Sequence, residues 1–587
     1  MASSFIYASH LTESVRFLIE LFEDRLRSAS GQEWLKSLFR NINYTVLNNF
    51  FKQFFGSGSF RIFGVDGSIA QEERLEMLLL YVCAAGYYGR LSVNGDVKVD
   101  VSNPEREKDM VLTVSVPLWI EDLPFIEPKL GGSTSDFEIS RSIESISYAL
   151  MKLSELTLSM KALDKGNVRI LLFDGLISGS YSPLLRDFRV LTSESSCIIE
   201  GLDTPKGRVS KADLVIAGNI GSGIINIPRR SIYAKYALVK YLIDNHPGEW
   251  VNINDLILRV GVKKEAFRDL IKLNSRLNGE VIEVKNGHVK INDNLVNYWF
   301  KVEYACKNVI EHILESRRHP LMFRNKWITS LDINTLNLIL LYKIIDLALR
   351  NNILVVGIAK DTNATDLIRN VKMISGGGDL SSKVFNLRSD RALLTILSAL
   401  NYENIETPWR TLEYDYCFST VLTEGSEVKA VRKIITRECF LVKSYFQLRS
   451  SDIDPSIRSP VFCYDRPYYP LFDNLNVKEV KAIEKSKTTT IKPFIEGNEY
   501  SIIGNIILYV LSLSDNPNII EEMGHNHLLF LSDKLAKTLS KQAQTMIKGI
   551  ADIELGSVAR KYKAYFASRR FRDIRSEAER LRETKGY

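Results

Sequence analysis

The sequence predicts an α/β protein: a mixed sheet flanked by helices, interrupted by one inserted unit, with helical N- and C-terminal extensions. Three observations lead there. Two apolar runs, FRIFGVDGSIA at 60–70 and VRILLFDGLISGS at 168–180, each bring an aspartate and a glycine to the end of a buried strand. Amphipathic stretches of helical period stand around them, such as DFEISRSIESISYALMKLSELTLSMKALD at 136–164. Three helical segments followed by a hairpin signature fill residues 231–292 as a unit of their own.

Global numbers set the frame. At 587 residues the chain is too long for one core. Its 45% hydrophobic and 25% charged content is that of a soluble globular protein. No apolar run approaches the ~18 residues of a membrane span. The opening MASSFIYASHLTESVRFLIELF carries charge too early for a signal peptide. Six scattered cysteines, at 83, 197, 306, 417, 439 and 463, form no C-x-x-C pair. That argues against a zinc site or a disulfide framework and leads to the expectation of a reducing cytoplasm.

The elements divide the chain. Residues 1–55 read as an N-terminal helical segment of two amphipathic helices, LTESVRFLIELFEDRLRS and EWLKSLFRNINYTVLNNFFKQFF. Residues 56–228 read as the first part of the core. FRIFGVDGS is a buried strand, QEERLEMLLLYVCAAGYYG a helix, the stretch through DMVLTVSVPLWI strand-rich, and 136–164 a long helix running into the second acid-tipped strand.

Residues 229–300 are the insertion. SIYAKYALVKYLIDNH is a helix, NINDLILRVG a shorter one begun by Asn252 or Asn254, and VKKEAFRDLIKLNSRLNG a third that glycine ends. EVIEVKNGHVKIN follows with Asn286-Gly287 at its centre, the pair a type I′ hairpin turn favours. This is the order of a winged helix. Lys263, Lys264, Arg268, Lys272 and Arg276 on the third helix suit nucleic acid, and a winged helix that contacts protein is the other reading.

Residues 301–550 complete the core. NTLNLILLYKIIDLALRNNILVVGIAKDT runs helix, strand, loop, and CFLVKSYFQLRSS with SPVFCYDRP forms two antiparallel strands. SIIGNIILYVLSLSDNP and HLLFLSDKLAKTLSKQAQTMIKGIADI are helical. Residues 551–587 form a basic C-terminal helix. From Ser557 onward stand ten Lys/Arg and four Asp/Glu, six of the chain's net +7. Tyr562, Tyr565, Phe566 and Phe571 lie among the arginines at helical spacing. This segment either meets phosphate or an acidic partner, or docks by its aromatics with a solvated basic face.

The chemistry centres on the two acids. A strand ending in aspartate holds its carboxylate at the rim of a sheet, and glycine lets the backbone turn there without steric cost. Side by side, Asp66 and Asp174 would repel each other unless a cation lay between them. Such hard oxygen ligands suit Mg²⁺ or Mn²⁺, the ions of metal-assisted phosphodiester hydrolysis.

The set GVDGS, LLFDGLISGS, VVGIAKDT and the late GHNHLLFLSDKLAK resembles the NurA family of nucleases in its order along the chain. The resemblance implies an RNase H-like core, Mn²⁺ or Mg²⁺ as cofactor, and metal ligands at Asp66 and Asp174. It implies a glutamate on the helix before the second strand, a few residues after an arginine. Arg141 and Glu144 have that arrangement, and Glu155, three turns on, is the second choice. The family lysine falls on Lys360, to hold the scissile phosphate or tune the acids; a surface lysine at a strand end is the alternative. The last family motif has a tyrosine where this chain has His525, after Gly524, and a His or Asp where it has Asp533; its prolines are absent. Asp533 is thus the fourth metal ligand, His525 a departure, and His527 a weaker candidate.

The resemblance further implies DNA as substrate and 5′–3′ exonuclease activity with single-strand endonuclease activity. It also implies a homodimer stacked on a HerA-type hexameric ATPase in DNA end resection and repair, and contact with the Mre-Rad type repair complex. The insertion departs from the family pattern. Two other readings stand beside the nuclease: a catalytically inactive adaptor on DNA or HerA, and a transcription-factor-like protein acting through its winged helix. The last leaves the acid-tipped strands unexplained.

Overall fold

The computed structural model describes residues 12–20, 38–74, 77–128, 136–223, 227–229, 231–316, 319–367, 389–415, 421–424, 427–430, 440–473, 480–484, 487–491, 501–515 and 524–561. In chain order the elements that matter for function are as follows. β1 (Gly58–Arg74), β2 (Met77–Asn94) and β3 (Asp96–Glu105) come first, then α1 (Asp136–Asp164), β4 (Val168–Asp174) and α2 (Ile177–Glu194). The insertion supplies α3 (Ala234–Asn245), α4 (Ile253–Val260), α5 (Lys264–Arg276), β5 (Ile282–Lys285) and β6 (His288–Ile291). α6 (Ser330–Asn351), β7 (Leu354–Ala359), β8 (Leu441–Gln447), β9 (Phe462–Pro467) and α7 (His527–Lys561) complete the set.

One mixed sheet organises the protein, with strand order β8-β9-β7-β4-β1-β2-β3 along its main path. β1, β2 and β3 form an antiparallel meander, whereas β4 runs parallel to β1 and β7 parallel to β4. The five strands β3-β2-β1-β4-β7 have the order and polarity of an RNase H-like core. β9 then adds antiparallel to β7, and β8 antiparallel to β9.

Both faces of this sheet are covered, and the side chains divide by the two-residue period of a strand. Phe63, Val65, Leu171, Phe173 and Val355 join a core built with α1, α2 and α6. Ile62, Ile170, Leu172, Leu354, Val356 and Ile358 face the opposite way, against helices Tyr44–Phe55 and Ile502–Leu513 and the start of α7. Three of the covering helices begin where the sequence provides an oxygen for the first free N–H groups. Asn43 caps Tyr44–Phe55, Ser501 caps Ile502–Leu513, and Thr329 with Asp332 forms a reciprocal box at α6.

Two expected elements differ. Within the second N-terminal helix, Phe39–Asn41 is a strand paired with Trp409–Thr411, and the helix starts at Tyr44. Double coverage explains the other. QEERLEMLLLYVCAAGYYG reads as a helix, but residues 71–74 end β1 and residues 77–89 belong to β2. The two strands pair without interruption from Gly58↔Val93 to Arg74↔Met77. A strand buried on both faces shows a continuous apolar run rather than alternation, so periodicity alone cannot tell it from a buried helix. The charges at the far end are accommodated there. Glu72 and Arg74 are buried as a pair at 2.8 Å, and Arg74 also reaches Asp552 of α7 at 3.3 Å.

In the insertion, α4 is opened by Asn252, whose side chain accepts from the N–H groups of Asn254 and Asp255. β5 and β6 meet at Asn286 and Gly287, both at positive φ (47° and 76°), as a type I′ turn requires. Asn274 of α5 ties helix to hairpin: it donates to Ile282 O and accepts from Val281 N–H and Ile282 N–H. Apolar residues of this unit, among them Leu238, Leu256, Leu270 and Ile291, run without a break into the core under α1 and α6.

A second buried feature lies on β9. Arg466 is fully buried between Glu413 and Asp473, at 2.6 and 2.7 Å, and Tyr464 and Ser501 also donate to Glu413. Burial alone would raise Glu413, but the guanidiniums of Arg466 and Arg410 outweigh it and hold the carboxyl down at about 2. Among the described residues no helix is long and apolar enough to cross a membrane. Tyr562, Tyr565, Phe566 and Phe571 of the expected basic helix lie outside the described residues, as does much of the expected first N-terminal helix.

Candidate active site

The two aspartates meet through strand register. β1 pairs in parallel with β4 at Val65↔Phe173, so Asp66 and Asp174 are the next residues on adjacent strands. Neighbouring strands lie about 4.8 Å apart, and residues level across a parallel pair point to the same face. β7 continues the rank with Ile358 beside Asp174. Two residues further, Lys360 places its ammonium 2.7 Å from Asp174 Oδ2. α7 packs its first turns on the same strands: Leu528 fills the space that a side chain at Gly64 would need, and Ser532 donates to Gly64 O. That brings Asp533 over the pair, with Lys537 2.8 Å from it.

The glycines after the acids do different work, and one departs from expectation. β1 does not end at Asp66 but continues for eight residues to Arg74. Gly67 is needed for close approach rather than for a turn. A Cβ there would lie 2.7 Å from Glu155 Oε1 and 2.6 Å from Met151 Cγ, so only a bare backbone admits the glutamate this near to Asp66. Gly175 does turn the chain, at φ 124°, from β4 into α2. α2 lacks a side-chain cap of its own; instead Asp465 of β9 accepts from Ile177 N–H (2.9 Å) and Ser178 N–H (2.6 Å). Gly357 makes room for that reach, because a Cβ there would lie 2.6 Å from Asp465 Oδ1. Burial raises Asp465 to about 6 against these bonds.

Glu155, not Glu144, is the glutamate in the cluster. Glu155 is 3% exposed, with Lys152 at 3.1 Å, and its charge acts on Asp66. Glu144 is exposed and lines a pocket of about 310 Å³ with Ile69, Ala70, Gln71, Ser147, Tyr148 and Gln544. Eleven residues along α1 are about 16 Å, so one ion cannot take both glutamates. Arg141 is likewise exposed.

The electrostatics are those of an overcrowded anionic site. Burial, then the charges of Asp174 and Glu155, push the Asp66 carboxyl up to about 9; Asp533 adds to the rise, and the Gly67 N–H opposes it. Burial also raises Glu155 against Lys152, and Asp174 against Lys360. Four carboxylates and no softer donor suit a hard divalent cation. Among the described residues, however, no three His, Cys, Asp or Glu side chains close into a ready coordination group. Each acid is turned to a nearby donor instead: Asp174 to Lys360, Asp533 to Lys537, Glu155 to Lys152 and Asp66 to the Gly67 N–H. The chemistry of the donor set fits the ion, and the lysines stand where its charge would act.

His525 lies beneath this site. Its ring is 3% exposed, 5.6 Å from that of Phe462, and among the described residues neither nitrogen has a hydrogen-bond partner. Burial, with the charge of Lys360, holds the imidazole down at about 3, so it is neutral. His527 is buried at the start of α7, its backbone N–H on Ser514 O. Sequence reasoning missed Asp465, Lys152 and Lys537; the four-residue step from Asp533 to Lys537 on one helix face was the available signal for the last.

Comparison with known proteins gives two kinds of likeness. The NurA domain model matches residues 60–410. Solved structures similar over most of the chain include the NurA nuclease from Sulfolobus solfataricus, at 11% identity and TM-score 0.36, covering 94% of this chain and 97% of that one. A NurA structure with manganese is 14% identical at TM-score 0.35, covering 92% and 98%. A third, bound to dAMP and manganese, is 11% identical at TM-score 0.35, covering 89% and 92%. No curated protein matches the chain.

Proposed function

The chain belongs to the NurA family, and from that premise we propose that it is a metal-dependent deoxyribonuclease hydrolysing phosphodiester bonds at DNA ends. The observation that carries the reading is the Val65↔Phe173 register, which makes Asp66 and Asp174 neighbours in a buried site with excess negative charge. Asp66, Asp174, Asp533 and Glu155, the last in place of Glu144, hold the ion. Mn²⁺, the ion in the NurA structures named above, or Mg²⁺ suits four oxygen donors.

Within this reading the chain's own groups do the following. The bound ion would supply an activated water and offset charge on the phosphoryl oxygens. Asp66 gives up the proton that burial and repulsion otherwise keep on it. Lys360 exchanges Asp174 for the scissile phosphate, a cation fixed by β7 before the substrate arrives. His525, neutral and dry, packs behind the lysine and adds no competing charge. The 5′–3′ polarity, single-strand endonuclease action, a homodimer on a HerA-type ATPase and contact with the Mre-Rad type complex are the family-level part of the proposal. Co-elution with such an ATPase tests the partnership.

The test uses end-labelled single- and double-stranded DNA with Mn²⁺ or with EDTA, beside an Asp66→Ala, Asp174→Ala variant. Degradation that needs the metal and falls at least about a hundredfold in the variant, roughly 2.7 kcal/mol of barrier, is expected. Hydrolysis unaffected by EDTA and by both substitutions would end the reading. One observation favours a second reading, the inactive adaptor: three lysines already stand against three of the acids. DNA binding without any hydrolysis in Mn²⁺ is its signature.

A further inference from the structure

α5 of the insertion carries a cationic crest that the proposed active site does not use. Lys264, Arg268, Lys272 and Arg276 recur every fourth residue, and all four are exposed. At 100° per residue, the first three lie roughly opposite the buried face of Ala266, Leu270 and Leu273, which packs toward α3. Among the described residues Lys264, Arg268 and Arg276 have no ion pair, while Lys272 is 3.4 Å from Asp269. Glu265 and Asp269 lie on the flank of the helix. The surroundings add positive charge: Lys235 of α3 is lowered by burial and by the like charges of Arg276 and Arg189, with only Asp269 opposing them. Beside the helix, the hairpin tip pairs exposed Lys285 with exposed His288.

We propose that this face of α5, with the β5–β6 tip, is a docking surface for the phosphate backbone of duplex DNA. Charge complementarity identifies the occupant as a polyanion; the choice of DNA rests on the nuclease reading. Four residues of helix rise about 6 Å, so the crest presents a cation at each such step over roughly 20 Å. A helix with its side chains is about 10–12 Å across and enters a major groove about 12 Å wide. Cations at regular intervals along one helix face suit the evenly spaced phosphates that fix a protein's position on a duplex. Because the unit is spliced between Asp174 and Lys360, it would hold a duplex on the same molecule that trims its end.

The test is fluorescence anisotropy of a labelled 30-base-pair duplex, with the full chain in EDTA so that no hydrolysis intervenes. A Lys264→Gln, Arg268→Gln, Lys272→Gln, Arg276→Gln variant should bind about ten- to a hundredfold more weakly near 0.1 M salt. Its log-log salt slope should be shallower by about 3–4, close to 0.9 per phosphate contact. Far-UV circular dichroism checks that these exposed substitutions leave the fold intact. An unchanged Kd and slope would overturn the proposal and assign the face to a protein partner. The two readings fail separately. The crest variant should still cut a short single strand in Mn²⁺. Weakened binding in a chain that never hydrolyses DNA would keep the docking surface and remove the nuclease.

Discussion

Two buried groups of carboxylates differ at their centres: Glu413 is lowered and Asp66 raised, while Asp473 beside Glu413 is itself raised by burial against Arg466. Around β9, Glu413 and Asp473 clasp Arg466 with Arg410 nearby, and Glu413 is held down at about 2. Where β1 passes the end of β4, Asp66, Glu155 and Asp174 crowd under Asp533, and Asp66 is pushed up to about 9. The first group has its charge matched by guanidiniums fixed in the fold. The second is matched only by lysines on flexible stems, which can leave. Buried charge that is fully paired serves the structure, whereas buried charge left in excess marks a place where something else binds.

The sharpest way to break this comparison is to unmatch the first group. Arg466→Met should cost about 3–5 kcal/mol in denaturant unfolding, because two acids stay buried without their cation. A loss under about 1 kcal/mol would mean that the two groups do not differ as described. Next comes the glutamate of the second group. Glu155→Gln should lower Mn²⁺-dependent hydrolysis about a hundredfold, near 2.7 kcal/mol, while Glu144→Gln stays within about twofold. The reverse order would return Glu144 to the site.

An effect smaller per unit of pH, though spread over a wide window, concerns protons. The folded Asp66 binds a proton that the unfolded chain releases near pH 4, so its contribution is present at low pH and lost as pH rises toward 9. Metal-free protein should therefore lose stability over that window, by at most about 1.4 kcal/mol per pH unit from this group. Asp66→Asn should flatten the profile and melt higher than the parent at pH 8 in EDTA, and Mn²⁺ should stabilise the parent more than the variant. The smallest change is at His525. With its pKa lowered to about 3, it contributes stability at neutral pH that is lost as pH falls below about 6.5. His525→Leu should remove that acid sensitivity and gain about 1 kcal/mol at pH 7.5, since two unpaired ring nitrogens leave the core. A lower melting temperature would show that the imidazole has a partner in solution.

Much of the fold was legible where one period dominates. The long helix at 136–164, the strand after 330–351 and the antiparallel pair β8 and β9 all stand where the pattern put them. β2 was not legible: β7, β8 and β9 are buried on both faces as well, but their 6 or 7 residues have a strand's length, whereas the 18 residues of β2 have a helix's. The acids Asp66 and Asp174 were visible as a repeated strand-acid-glycine pattern. Which glutamate joins them was not: Glu144 and Glu155 lie three turns apart on one helix, and only the packing of α1 against Gly67 separates them. Asp465 was hidden for a related reason. It caps a helix 288 residues earlier in the chain, a partnership no local pattern announces.

The site's members stand far apart along the chain: Asp66, Glu155, Asp174, Lys360 and Asp533. Lys360 and Asp174 alone are separated by 186 positions. A ribosome making this protein therefore exposes two strand-borne acids long before the helix that covers them exists. Until some 533 residues have been translated the charge set is incomplete, so a truncated or stalled product lacks one of the four carboxylates and the lysine beside it. The anionic cluster is thus closed by the last long helix of the described chain.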